Sequence, residues 1–244
     1  MQTIDINCDV GEGFNNEDKL MPYLSSCNIA CTGHAGTIQT IDETIAIAKQ
    51  NNVKIGAHPS FPDTENFGRK YVEMSSKELQ ESLEFQINLL VERAALQNVK
   101  LNHVKVHGAL YNLSTVDEDI ANIIIQAMQN TVGNILLYVP YNSVIETIAK
   151  QNGIPIKREA FIDRNYNEDL TLVSRNLSNA IISKPEKAFN HLYRMIDEGR
   201  VNTVLNRNVR IEADTFCIHG DNEKAEYILK YVSRALKNKG IKIA

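Results

Sequence analysis

No run in this chain approaches the ~18 consecutive apolar residues that a membrane-spanning helix needs. The opening, Met1-Gln2-Thr3-Ile4-Asp5, has neither a basic region nor an apolar signal core, which points to a cytoplasmic protein without a membrane partner. Basic arms and stripes are missing as well. Lys and Arg (26) alternate with Asp and Glu (30) for a net charge of −4, which argues against nucleic acid as a partner. None of the four cysteines, Cys8, Cys27, Cys31 and Cys217, forms a CxxC pair. They read as small hydrophobes rather than as a zinc site or a disulfide framework. There is no GxxxxGKS/T run, and Gly11-Glu12-Gly13 is too short for a dinucleotide fingerprint. A bound nucleotide would therefore be held without a P-loop. Linkers, repeats and low-complexity segments are absent too, so residues 1–244 are read as one domain.

What is present is alternation. Short apolar runs (Ile4–Cys8, Ile29–Cys31, Val53–Ala57, Val104–Val106, Ile135–Val139, Ile154–Phe161, Thr215–Ile218) are separated by stretches with helical spacing. The longest of these, Ser75–Gln97, carries Leu79, Leu83, Ile87, Leu90 and Ala94, and Ser75 with Glu78 fits a capping box. Further helices are expected over Ile38–Gln50, Asp117–Asn130, Tyr141–Asn152, Pro185–Glu198 and Asn222–Asn238, the last with Asp221 as N-cap. About seven βα units imply a parallel sheet of the α/β class. A doubly wound sheet buries both faces of its strands, which then read as continuous apolar runs. Here Asp5, Asn7 and Asp9 share a face opposite Ile4, Ile6 and Cys8, and His103, Lys105 and His107 oppose Val104 and Val106. Polar residues turned into a barrel interior, with apolar ones under the helices, explain that pattern. The expected fold is a seven-stranded, TIM-like (β/α) barrel.

Ligands of such folds bind where strands give way to βα loops. The strand ends carry Asp9 and Glu12; His34; His58 followed by Asp63; His107 followed by Tyr111 and Asn112; Asp163 and Arg164; and His219 with Asp221. A single strand-end histidine is usually structural. Four on separate strands, each next to glycine or proline, point to a site, because glycine lets backbone turn sharply beside a ligand and histidine can donate, accept or ligate near neutral pH. His103, two strand steps below His107, reads as structural, and His191 as surface or packing. Lys105 points inward one step below His107. An inward lysine needs a carboxylate partner, and Asp5, Asn7, Asp9 and Glu12 lie on the segment best placed to supply one. Arg69 and Arg164 are either anion forks or solvated loop charges.

Taken together, these segments resemble one family. Asn7-Cys8-Asp9-Val10-Gly11-Glu12, Asn28-Ile29-Ala30-Cys31 with His34-Ala35-Gly36, Ile55 through Asp63, Phe67-Gly68-Arg69, Val104 through Asn112, Phe161 through Tyr166, Leu172 through Arg175 and Cys217 through Asp221 are similar to motifs of the LamB/YcsF family over nearly the whole chain. The resemblance implies a barrel related to that of polysaccharide deacetylases. It also implies the role of the A component of a bacterial ATP-dependent 5-oxoprolinase: conversion of 5-oxo-L-proline, ATP and water to L-glutamate, ADP and phosphate, with Mg²⁺ accompanying ATP and with partner subunits B and C. The catalytic set this suggests is Asp9, Glu12, His58, Lys105, His107 and His219. Substrate or phosphate contacts fall to Asn7, His34, Asp63, Arg69, Tyr111, Asn112, Asp163, Arg164 and Asp221. Two readings stand beside it: a metal-dependent amide or ester hydrolase with Asp9, His34 and His58 on one ion, and a non-catalytic member of the complex. The chain departs from the family pattern at Thr37, where a carboxylate is usual, and at Val106, where proline is usual. The Thr37 change is expected to remove a charge from the mouth of the site.

Overall fold

The computed structural model describes residues 2–244; Met1 lies outside the described residues. In chain order the elements are β1 (Gln2–Ile4), β2 (Ile6–Val10), α1 (Glu17–Leu20), β3 (Ser26–Ala30), α2 (Ile38–Gln50), β4 (Lys54–His58), α3 (Ser76–Leu96), β5 (Leu101–Val104), α4 (Gly108–Leu113) and α5 (Glu118–Thr131). They continue with β6 (Leu136–Pro140), α6 (Val144–Gln151), β7 (Ile156–Phe161), α7 (Pro185–Glu198), β8 (Arg200–Asn202), β9 (Asn208–Arg210), β10 (Thr215–His219), α8 (Ala225–Asn238) and β11 (Ile241–Ile243). Seven strands close a parallel barrel in the order β10-β2-β3-β4-β5-β6-β7, as their alternation predicts. Two small pairs lie outside it: β1 with β11, parallel, and β8 with β9, antiparallel. The expected first strand is thus divided, since Ile4 pairs with Ile243 while Ile6 begins the barrel strand beside Phe216.

The apolar faces of the strands meet the helices. On α3, Leu79, Leu83, Ile87, Leu90 and Ala94 recur at three- and four-residue spacing and are all buried. Each large side chain buried on that stripe stabilises by about 1.5–3 kcal/mol. The helix starts at the expected capping box, where the Ser75 hydroxyl accepts from the Glu78 amide at 3.2 Å and the Glu78 carboxylate accepts from the Ser75 amide at 2.8 Å. The last helix differs from expectation: α8 begins at Ala225 with Lys224 at its N-cap, because Asp221 is held by arginines instead.

The barrel interior is polar and hydrogen-bonded in layers, as buried polar groups require. At the bottom, Thr215 donates to Asp5 at 2.5 Å, Asn7 donates to Thr215 at 2.8 Å, and Ser26 meets the Tyr138 hydroxyl at 3.1 Å. Above them Asn28 donates to Asn7 at 2.8 Å and to Asp9 at 2.7 Å, and its carbonyl accepts from His103 Nε2 at 2.7 Å. His103 is fully buried and stacks on Tyr138 at 4.0 Å, so it is structural, as expected. Gly56 leaves room for it: a Cβ there would stand 2.1 Å from His103 Nε2.

Candidate active site

The uppermost interior layer is built on Lys105, just past the end of β5. Its Nζ lies 2.8 Å from Asp9 Oδ1, 3.1 Å from Glu159 Oε1 and 3.1 Å from Cys217 Sγ, and all four side chains are buried. Burial alone would pull the ammonium down, but Asp9, Cys217 and Glu159 outweigh it and raise its pKa well above the ordinary value. Burial would likewise raise the Asp9 carboxyl, yet His58 and Lys105 hold it well below the usual range. Both partners are therefore charged. Cys217 is not the plain hydrophobe that its neighbours suggest, because its sulfur faces this ammonium.

Lys105, Asp9 and Glu159 form the floor of a cavity of about 440 Å³ whose walls include His58, His107, Tyr111, Phe161, Arg164, Arg175 and His219. Among the described residues, neither oxygen of Glu159 makes an aligned hydrogen bond beyond its ion pair with Lys105, and the Tyr111 hydroxyl, which lies close to Glu159, makes none either. Burial, with Glu159 close by, pushes the Tyr111 phenol well above its usual pKa, so it stays protonated. A buried polar group without a partner carries a penalty of about 1–3 kcal/mol, which a ligand can relieve.

His219 stands across the cavity, held by a carboxylate of its own. Asp163 Oδ1 lies 2.9 Å from His219 Nδ1, and its Oδ2 accepts from Asn222 at 3.0 Å. Burial would raise Asp163, but the His219 charge and these hydrogen bonds lower it, so a carboxylate fixes Nδ1–H and leaves Nε2 for chemistry. At the rim, Asp221 joins Arg69 to Arg175, whose Nη1 is 2.8 Å away. Arg164 is not an open fork: it donates to the carbonyls of Val173 and Ala180, and burial pulls its pKa down to about 10. The segment that carries Arg175 runs from β7 to α7 and covers the barrel mouth, its Leu172, Val173 and Ser174 lining the cavity.

Glu12, His34, His58 and His107 gather beside the cavity, which His58 and His107 line. His34 Nε2 is 3.0 Å from Glu12 Oε1, His107 Nδ1 is 2.9 Å from His58 Nε2, and the His34 and His107 rings stack at 3.7 Å. One ligand atom from each of the four falls within 4.8 Å of every other. Of the set expected from sequence, Asp9 with His34 and His58, the two histidines gather with Glu12 and His107, while Asp9 pairs with Lys105 and keeps its Oδ2 3.3 Å from His58 Nε2.

Other expected site residues lie apart from the cavity. Asn7 is a buried link in the interior network. Asp63 turns the loop before Arg69 by accepting from the Asn66 amide at 3.0 Å. Asn112 does reach the cavity wall. Thr37, where a lost charge was expected at the mouth, is the exposed N-cap of α2, accepting from the Thr40 amide at 3.2 Å. Aspartate and threonine both serve that role, so the departure spares the site. Glu159 and Arg175 were missed as site residues.

Comparison with known proteins agrees with the fold. The LamB/YcsF family profile matches residues 4–244. The A component of 5-oxoprolinase from Bacillus thuringiensis subsp. konkukian is 41% identical over 250 residues, which cover 100% of this chain and 98% of that protein. The same component from Staphylococcus aureus (strain Newman) is 37% identical over 245 residues, covering 98% of each. The crystal structure of a lactam utilization protein from Thermus thermophilus superposes with a TM-score of 0.90 at 33% identity, covering 100% of this chain and 99% of that one. Similar in sequence from end to end and in the path of its backbone, the chain belongs to the LamB/YcsF family.

Proposed function

We propose that this chain is the A component of an ATP-dependent 5-oxoprolinase, acting with subunits B and C and using ATP with Mg²⁺. The names of its relatives support the substrate class. The observation that carries the reading is the cavity at the barrel mouth, with a buried ammonium on its floor and, beside it, a Glu159 carboxylate and a Tyr111 hydroxyl that make no aligned hydrogen bond. A five-membered lactam with one carboxylate matches those groups. Its N–H finds an acceptor in Glu159, its carbonyl oxygen a donor in Tyr111, and its carboxylate a fork in Arg175.

Lactam opening is uphill, and coupling to ATP reverses that. The lactam oxygen attacks the γ-phosphorus, ADP leaves, and water adds to the activated carbon. The ring C–N bond then breaks to give γ-glutamyl phosphate, and a second water hydrolyses this acyl phosphate to glutamate and phosphate. Lys105 and Arg69 offset developing charge on phosphate oxygens. His219, held by Asp163, accepts the proton of the attacking water and returns it to the leaving nitrogen. Asp9 keeps Lys105 charged and in place. The test is glutamate release from 5-oxoproline with ATP, first by the chain alone and then with its two partner subunits. No turnover in either setting refutes the reading.

The Glu12–His34–His58–His107 group favours a second reading, a metal-dependent amide hydrolase. Release of glutamate from 5-oxoproline without ATP, or acid release from a simple amide, would select it.

A further inference from the structure

We propose that Glu12, His34, His58 and His107 bind one divalent transition-metal ion of the zinc class beside the cavity, which His58 and His107 line. The inference does not depend on the ATP-coupled reaction. It starts from where the ring protons must be. His58 Nδ1 lies 2.7 Å from the Lys105 carbonyl, and His107 Nε2 lies 3.0 Å from the Phe67 carbonyl. A carbonyl only accepts, so each of those nitrogens carries its hydrogen. The remaining nitrogens, His58 Nε2 and His107 Nδ1, then face each other at 2.9 Å, with a lone pair apiece when both rings are neutral, and Asp9 Oδ2 stands 3.3 Å from His58 Nε2. Two lone pairs at that distance repel unless a cation stands between or beside them. Glu12 Oε1, 3.6 Å from His107 Nδ1 and 3.0 Å from His34 Nε2, adds a negative charge at the same point.

The cation is either a shared proton or a metal ion, and three features favour the metal. First, an ion with ~2.0 Å bonds to four tetrahedral ligands sets them about 3.3 Å apart. Three of the six separations, 2.9, 3.0 and 3.6 Å, bracket that edge, and all six lie within 4.8 Å. Second, metal-binding histidines characteristically donate their other ring N–H to a carbonyl or carboxylate, which fixes the ring and its tautomer. His58 and His107 both do so with backbone carbonyls. Third, the group has the donors of a zinc site, three imidazoles and a carboxylate, all buried. Backbone is drawn in to hold the geometry. Gly68 brings its chain against His34 and His107, and a Cβ on Gly108 would lie 2.4 Å from the Gly68 carbonyl oxygen.

The full chain is stripped with chelator, incubated with Zn²⁺ or Co²⁺, desalted and assayed for metal by mass spectrometry. The expected result is about one ion per chain, visible d–d absorption for the cobalt form in the range of tetrahedral sites, and loss of both in Glu12→Gln and His34→Gln. Thermal unfolding supplies a second readout. A free-ion concentration near a hundred times Kd should raise Tm by about 5–10 °C in the wild type and leave Glu12→Gln unmoved. Circular dichroism establishes that each variant is folded, and His107→Asn replaces any that is not. Folded wild-type protein that retains no ion, or variants that retain as much as wild type, overturns the proposal and leaves the shared proton. Metal-loaded protein that fails to release glutamate with its partners refutes the proposed reaction but not the ion site.

Discussion

Replacing Lys105 with methionine tests the centre of the site without relying on its chemistry. The ammonium sits 2.8 Å from Asp9 and 3.1 Å from Glu159, with side-chain exposures of 2%, 4% and 0%. At an effective dielectric near 20, each contact is worth roughly 5 kcal/mol of direct attraction before desolvation is subtracted. Methionine fills much of the lysine volume, so the loss is electrostatic. Breaking a buried pair from one side destabilises by about 3–5 kcal/mol, because the remaining charge is left uncompensated. Here two carboxylates are stranded, so the upper end applies. Lys105→Met should therefore lose about 4–5 kcal/mol near pH 8, read from denaturant unfolding. Adding Glu159→Gln should return part of that loss, since it removes one of the stranded charges. The pH dependence has a definite sign. In the variant one carboxylate has its folded pKa raised, so its contribution is fully present below the unfolded value and is lost as pH rises through the folded one. In the wild type the Asp9 pKa is depressed, so that contribution persists until pH falls well below the usual carboxylate range. The gap between the two proteins should narrow from pH 8 to pH 5. A loss under about 1 kcal/mol, or a gap that widens toward acid, would refute the buried ion-pair account.

Gly56→Ala should destabilise by about 1–3 kcal/mol or more, because its Cβ would collide with a histidine pinned by Tyr138 and Asn28; His103→Ala in the same chain should recover part of the loss in a urea titration. Thr37→Asp should leave stability within about 0.5 kcal/mol and glutamate release unchanged, since both residues cap a helix; a large gain in turnover would show that position 37 does act on the site. Burial lowers the His191 imidazole to about 4, which favours the neutral form in the folded state. Its contribution is present above the unfolded value of about 6.5 and is lost as pH falls through about 4, up to roughly 3 kcal/mol. His191→Phe should show a shallower fall in Tm between pH 7 and pH 4.5, and an unchanged slope would reject the assignment.

Legibility followed the clarity of strand alternation. In β2, apolar Ile6, Cys8 and Val10 oppose Asn7 and Asp9, and the inward set could be read directly; the same held for His103 and Lys105. Strand β7 hides its inward face because both faces are charged. Lys157 reaches Asp5 and Glu159 reaches Lys105, while Arg158 turns outward to Asp214 and Glu212. With no apolar face for contrast, Glu159 was indistinguishable from a surface glutamate. Arg175 lies on the long connection above the mouth, where no period exists to place it. Asp221 looked like a helix cap because it precedes a helical pattern, but the pattern begins only at Ala225 and the carboxylate is taken by two arginines. The histidine group was half legible. Its members announced themselves at strand ends, but only the barrel's closure tells which carboxylate, Glu12 or Asp9, faces them.

That choice between carboxylates is made from below. Burial fixes His103 as a neutral ring, and Asn28 fixes its hydrogen: the amide carbonyl accepts from Nε2, so the Asn28 amino group must donate down to Asn7 and across to Asp9. Asp9 Oδ1 thus receives Asn28 at 2.7 Å and Lys105 at 2.8 Å, and only Oδ2 remains, 3.3 Å from His58 Nε2. A carboxylate so occupied can steady one histidine but cannot join the histidine group as a full ligand, and that role passes to Glu12. The polar interior that makes this barrel unlike an apolar core is therefore a ladder of fixed donors and acceptors. It starts at Tyr138 and Ser26 and ends by dividing two nearby carboxylates between two tasks: one holds an ammonium under the cavity, and the other faces three imidazoles beside it.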